Sequence, residues 1–74
     1  MGYATRAGMI TIIARKPRTV DSEYVIVERL GQRSPYVVGT VTAHSLRFDE
    51  WFWGHYFDTF SKSLAYFDSL TSTK

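Results

Sequence analysis

No cysteine occurs anywhere in the chain, and in a sequence of 74 residues that absence restricts how a fold can be held. A domain of this size buries only about 60% of the surface that its unfolded chain exposes. Small domains commonly compensate with disulfides or a structural metal. Without thiols, disulfides and thiolate zinc sites are excluded. The fold must therefore rest on side-chain bulk, and here that bulk is aromatic: five Tyr, five Phe and two Trp. Large rings are the most effective means for a short chain to bury apolar area.

Periodicity divides the chain into one domain over residues 9–70, with a frayed N-terminus over 1–8 and a loose tail over 71–74. Met9 to Ala14 (MITIIA) is β-branched and apolar and reads as a strand. Arg15-Lys16-Pro17-Arg18 reads as a loop, because proline cannot donate to a ladder. Glu23 to Leu30 (EYVIVERL) and Tyr36 to Ala43 (YVVGTVTA) read as a hairpin around the turn residues Gly31 to Pro35. His44 to Asp49 is a second connection, and Glu50 to Phe57 (EWFWGHYF) is the last strand. Asp58 is placed to cap a helix on which Phe60, Leu64 and Phe67 share one face. Lys62, Ser63, Asp68 and Ser69 would lie on its polar side, with Ala65 allowing close approach to the sheet. The expected fold is α+β: a three- to four-stranded antiparallel sheet with one C-terminal helix packed on one face, in the order β-β-β-β-α.

Strand alternation assigns side chains to faces. Val37, Gly39, Val41 and Ala43 form a small-residue face suited to a helix, leaving Tyr36, Thr40 and Thr42 on a face without cover. In the last strand, Trp51, Trp53, His55 and Phe57 would point one way and Phe52, Gly54 and Tyr56 the other. Uncovered aromatic area on a small protein marks a binding surface, and Trp and Tyr are the usual anchors. The candidate binding residues are Trp51, Trp53, Tyr36 and Tyr56, with Arg29, Arg33 and Arg47 as a polar rim that steers encounter. A second copy of the chain, or the N-terminal segment, covering the same face is the bland alternative.

Chemistry finds little support in the pattern. His44 and His55 are the only residues with ordinary titration near neutrality, and nothing in the spacing joins them to a ligand set. There is no phosphate loop or nucleophile motif, so no catalytic residue, cofactor or metal is expected. Net charge is +2, which is mildly basic, and Arg15, Lys16 and Arg18 cluster. Basic residues interleaved with aromatics could grip nucleic acid, which makes it the second choice of partner. No run is long enough to span a membrane, and the N-terminus lacks the layout of a signal peptide; a soluble, cytoplasmic protein is expected.

Trp53 to Leu70 (WGHYFDTFSKSLAYFDSL) resembles the end of the plant AP2-type DNA-binding domain. It is similar in layout to the arm-binding domains of phage-type integrases. That likeness implies a three-stranded sheet reading duplex DNA, with Trp51 and Trp53 matching the families' tryptophans in kind and Arg29 alone standing for their strand arginines. The same segment is similar in style to small accessory proteins of phages and mobile elements. This likeness implies a stand-alone protein that binds and blocks a host machine, as anti-CRISPR proteins do.

Overall fold

The computed structural model describes residues 3–4, 10–29, 31–48 and 50–71, with the backbone alone described at 3–4. The rest of the expected N-terminal segment and residues 72–74 of the expected tail lie outside the described residues. The fold is α+β, a meandering antiparallel sheet of order β1-β2-β3-β4-β5 with a C-terminal helix. Four strands correspond to those read from sequence: β2 (Thr11–Thr19), β3 (Ser22–Glu28), β4 (Tyr36–Val41) and β5 (Phe52–Phe57). The two-residue β1 (Tyr3–Ala4) pairs with Thr11 and Ile12. Helix α1 (Ala43–Leu46) joins β4 to β5, and α2 (Phe60–Ser69) closes the domain.

β2 runs through the segment expected to be a loop. Pro17 pairs in register with Glu23 inside the strand. Proline is tolerated there because, among the described residues, β1 meets only the first part of β2. From Ile13 onward β2 is an edge among the described residues, and edge strands are where a sheet accommodates proline. Two register shifts interrupt the pairing of β2 with β3, one between Ile12 and Ala14 and one between Pro17 and Thr19. The second leaves Arg18 as the extra residue, and bulges of this kind re-aim a side chain.

The connection after β4 is also more ordered than expected. Thr42 and Ser45 form a capping box: the Ser45 amide donates to Thr42 Oγ1 at 3.1 Å and the Thr42 amide donates to Ser45 Oγ at 2.9 Å. Two otherwise orphaned donors are satisfied, which sustains a helix of a single turn. At α2 the N-cap is Thr59 and not Asp58, with Thr59 Oγ1 accepting from the Lys62 amide at 3.3 Å.

The sheet buries both faces. On one, Ile26 and Val38 pack against Phe67 of α2, flanked by Ala14, Tyr24, Phe57, Tyr66 and Leu70. On the other, Ile10, Ile12, Val25, Val27, Val37 and Val41 form a second cluster under Leu46 and Trp51. The helix therefore covers the Tyr36, Val38 and Thr40 face, opposite to the one expected. Small residues on the Val37, Gly39 and Val41 face do admit a large neighbour, but that neighbour is the Trp51 ring. The helix is also rotated from its expected setting. Phe67 is buried as expected, yet Ser63 is fully buried while Phe60 and Leu64 are 40% and 36% exposed. Ala65, expected beside the sheet, is exposed, and Ser63 provides the close approach instead. Its hydroxyl donates to the Phe60 carbonyl at 2.7 Å, which satisfies the buried polar group.

Lys16 ties the helix to the sheet. Its ammonium donates to the Phe67 carbonyl at 2.6 Å and lies 4.6 Å from the centre of the Phe67 ring. The same carbonyl also accepts from the Leu70 amide at 3.1 Å, and a cation at a helix C-terminus complements the helix dipole.

Candidate functional site

β5 is the outermost strand of the sheet among the described residues, and it follows α1 through Glu50 and Trp51. Its pairing with β4 is interrupted: Val38 faces His55 and Thr40 faces Phe52, so Trp53 and Gly54 together oppose Gly39. Trp53 has φ of +54°, a left-handed conformation that only glycine adopts freely. For a bulky residue that conformation costs roughly 1–2 kcal/mol. Such strain persists where the surroundings enforce it, and it concentrates at functional positions.

The bulge resets alternation and separates the two tryptophans that were expected on one face. Trp51 lies across Gly39 and Gly54 on the valine face. A Cβ at Gly54 would stand 2.7 Å from Trp51 Nε1, and one at Gly39 would stand 3.1 Å from Trp51 Cδ1. The two glycines form the seat of a half-buried indole. Trp51 Nε1 donates to the Tyr56 hydroxyl at 3.3 Å. The Arg29 guanidinium lies 4.9 Å from the Tyr56 ring centre and 5.8 Å from that of Trp51. It is anchored by a bond from Nη2 to the Ser34 carbonyl at 3.0 Å, so Arg29, Trp51 and Tyr56 form one cluster.

Trp53 belongs to the helix side and is 71% exposed. The Arg18 guanidinium lies 5.4 Å from its ring centre and 5.9 Å from that of Tyr24. Beside this clamp is a hollow of about 260 Å³, floored by Val38, Gly39 and Thr40 and walled by Tyr24, Trp53, His55, Tyr66 and Leu70. His55 Nε2 and the Tyr66 hydroxyl are 3.3 Å apart, with their rings 4.6 Å apart. Tyr36 is half-buried on the same side and meets Phe60 edge-on at 5.9 Å.

The remaining expected site residues are scattered. Arg33 is exposed in the β3–β4 loop and Arg47 is exposed after α1. His44 lies in α1 against Phe48, with ring centres 5.3 Å apart, away from the His55–Tyr66 pair. Of the basic cluster in β2, Arg15 is ion-paired with Glu23 at 2.5 Å and Lys16 is committed to α2. Phe52 and Arg18 are not among the candidate binding residues read from the sequence, where Arg18 stands only in a basic cluster. Phe52 is 46% exposed beside Trp53, with ring centres 6.0 Å apart. No periodic signal marked Arg18, because its placement comes from an irregularity in the ladder. Among the described residues, no group of three or more His, Asp or Glu is placed to hold a metal ion. No helix among them is long and apolar enough to cross a membrane.

No family model matches the chain, and neither a curated protein nor a solved structure matches it at a significant level.

Proposed function

We propose that the chain is a non-enzymatic protein-binding module whose partner engages the outer edge of β5. The observation that carries this reading is that Phe52, Trp53 and Tyr56 are 46%, 71% and 52% exposed on a terminal strand. Edge strands are usually blunted by charge, by cover or by a bulge, and the bulge of β5 is confined to Trp53 and Gly54. The segment Phe52–Phe57 holds neither Lys nor an acid. An extended partner segment gains main-chain hydrogen bonds along such an edge, while large rings anchor its side chains. An accessory protein that blocks a host defence complex by occlusion would act in this way, with no chemistry of its own.

A duplex-reading sheet draws less support from the geometry. The face opposite α2 is filled by Val25, Val27, Val37 and Val41, each at 1% exposure or less. Two of the basic residues nearest the sheet, Arg15 and Lys16, are committed within the chain. The test is to recover the partner with the wild-type chain and then titrate it against a Phe52→Ala/Trp53→Ala/Tyr56→Ala variant. Binding should be lost while the urea midpoint stays close to wild type. Duplex DNA is titrated in parallel at low and high salt, with mass measured by light scattering. Tight binding of DNA that weakens steeply with salt overturns the proposal. Full binding of the partner by the triple variant does so as well. A mass of twice the chain identifies a second copy as the occupant of the edge.

A further inference from the structure

We infer that the groove between the tip of the β2–β3 hairpin and α1 takes the side chain of a lysine on a partner polypeptide. The groove shares no lining residue with the β5 edge or with the hollow beside Trp53, so it does not depend on what engages either. Its volume is about 420 Å³. The register sets Pro17 beside Glu23 and Glu23 beside Val41, so one row of the valine face crosses the sheet at this end. Pro17, Val20, Val41, Ala43 and Leu46 give the groove an apolar lining along which the carbon stem of a lysine can lie.

Charge selects the end of that side chain. Asp21 and Glu23 line the groove against one guanidinium, Arg15, in a chain whose net charge is +2. Arg15 and Glu23 are ion-paired, so neither is offered to a ligand. Asp21 meets no cation among the described residues, and one of its oxygens accepts from the Thr19 hydroxyl at 3.0 Å. The other oxygen is a single acceptor, which suits a compact ammonium better than the two-pronged guanidinium of arginine.

Val20 provides an independent indication. With Asp21 it makes the two-residue turn between Thr19 and Ser22, and it is 104% exposed. Turns of this length favour Asn, Asp and Gly, so neither the turn nor the core calls for a β-branched apolar side chain there. What Val20 does is extend the apolar wall of the groove beyond the sheet.

The test titrates Nα-acetyl-lysine N-methylamide into the full chain at low salt. NMR follows the methyl groups of Val20, Val41 and Leu46. Saturable shifts should be about threefold tighter than for the Nε-acetylated form, the scale of an exposed ion pair, and that margin should shrink with added salt. The arginine analogue should bind more weakly than the lysine. Asp21→Asn, which suits the same turn, should abolish the preference over the Nε-acetylated form. Val20→Ser should weaken both without lowering the thermal midpoint. The inference is overturned if the lysine derivative does not shift these methyl groups, if the Nε-acetylated form or the arginine analogue binds as tightly, or if Asp21→Asn keeps the preference. It is overturned as well if cadaverine binds more tightly than its two ammonium groups explain by statistics, which makes a free diamine the occupant.

Discussion

Substituting Gly54 with alanine tests how Trp51 is held. The added methyl carbon would stand 2.7 Å from Trp51 Nε1, 2.9 Å from Trp51 Cδ1 and 3.1 Å from Val37 Cγ1. The indole is a rigid ring pressed on the strand backbone, so relief requires it to lift from both glycines. Overpacking of this kind costs typically about 1–3 kcal/mol. Against it stands a gain of roughly 0.4–1 kcal/mol, because alanine restricts the unfolded chain more than glycine does. The net expectation for Gly54→Ala is a loss of about 1–2 kcal/mol. In a Trp51→Ala background the indole clash is gone, and the same change should be close to neutral or slightly stabilising. The Val37 contact is common to both backgrounds and cancels in the cycle. The coupling between the two sites should therefore be at least about 1 kcal/mol. Urea unfolding of the four proteins measures it. Sucrose is added equally to all, so that the least stable protein keeps a folded baseline. If Gly54→Ala costs the same with and without Trp51, the ring does not rest on the glycines, and its assignment to the valine face is wrong.

Other features give narrower expectations. Trp53→Gly should be more stable than Trp53→Ala by roughly 1 kcal/mol in urea, since both lose the Arg18 contact and only glycine is relieved at positive φ. Lys16→Met should cost about 1 kcal/mol and speed hydrogen exchange of the Leu70 amide, which bonds to the same Phe67 carbonyl. Thr42→Val removes the side-chain acceptor of the capping box and should cost about 0.5–2 kcal/mol by thermal unfolding. The Lys62 ammonium donates a hydrogen bond to Asp58 and attracts its charge, holding that carboxyl below its ordinary 3.8. A carboxyl depressed in the folded state adds stability above its unfolded value, and this is lost as pH falls through the folded one. An NMR titration of the Asp58 carboxyl should thus give a midpoint below 3.8, rising in Lys62→Gln.

Regular strands were legible in the sequence because Glu23 to Leu30 and Tyr36 to Ala43 carry β-branched residues on both sides of a turn. The helix was legible from its spacing, and Phe67 from its place in that spacing. What escaped was every departure from regularity. Pro17 signalled a loop because proline cannot donate to a ladder, yet an open edge tolerates it. Alternation put Trp51 and Trp53 together, and one extra residue at Trp53 and Gly54 divided them. Ser63 read as polar surface, although a hydroxyl bonded back to its own helix can be buried. The small-residue face was recognised as a seat, but spacing does not reveal whether a helix or a single indole takes it. The candidate site suffered most, since Arg18 and Trp53 both owe their positions to bulges. Tyr56 and Arg29 were named for the site, though as members of a set that the fold distributes over two faces.

The bulge in β5 also gives the chain a pair of optical reporters. Two indoles only two residues apart look out on opposite sides of the sheet, one resting on paired glycines and the other standing largely in solvent beside a guanidinium. Their emission should differ in colour and in access to a soluble quencher such as iodide. Trp51→Phe leaves a protein that is dark on the valine side and bright beside α2, and Trp53→Phe leaves the reverse. Events on each side of the sheet can then be timed separately in one small domain without attaching a dye.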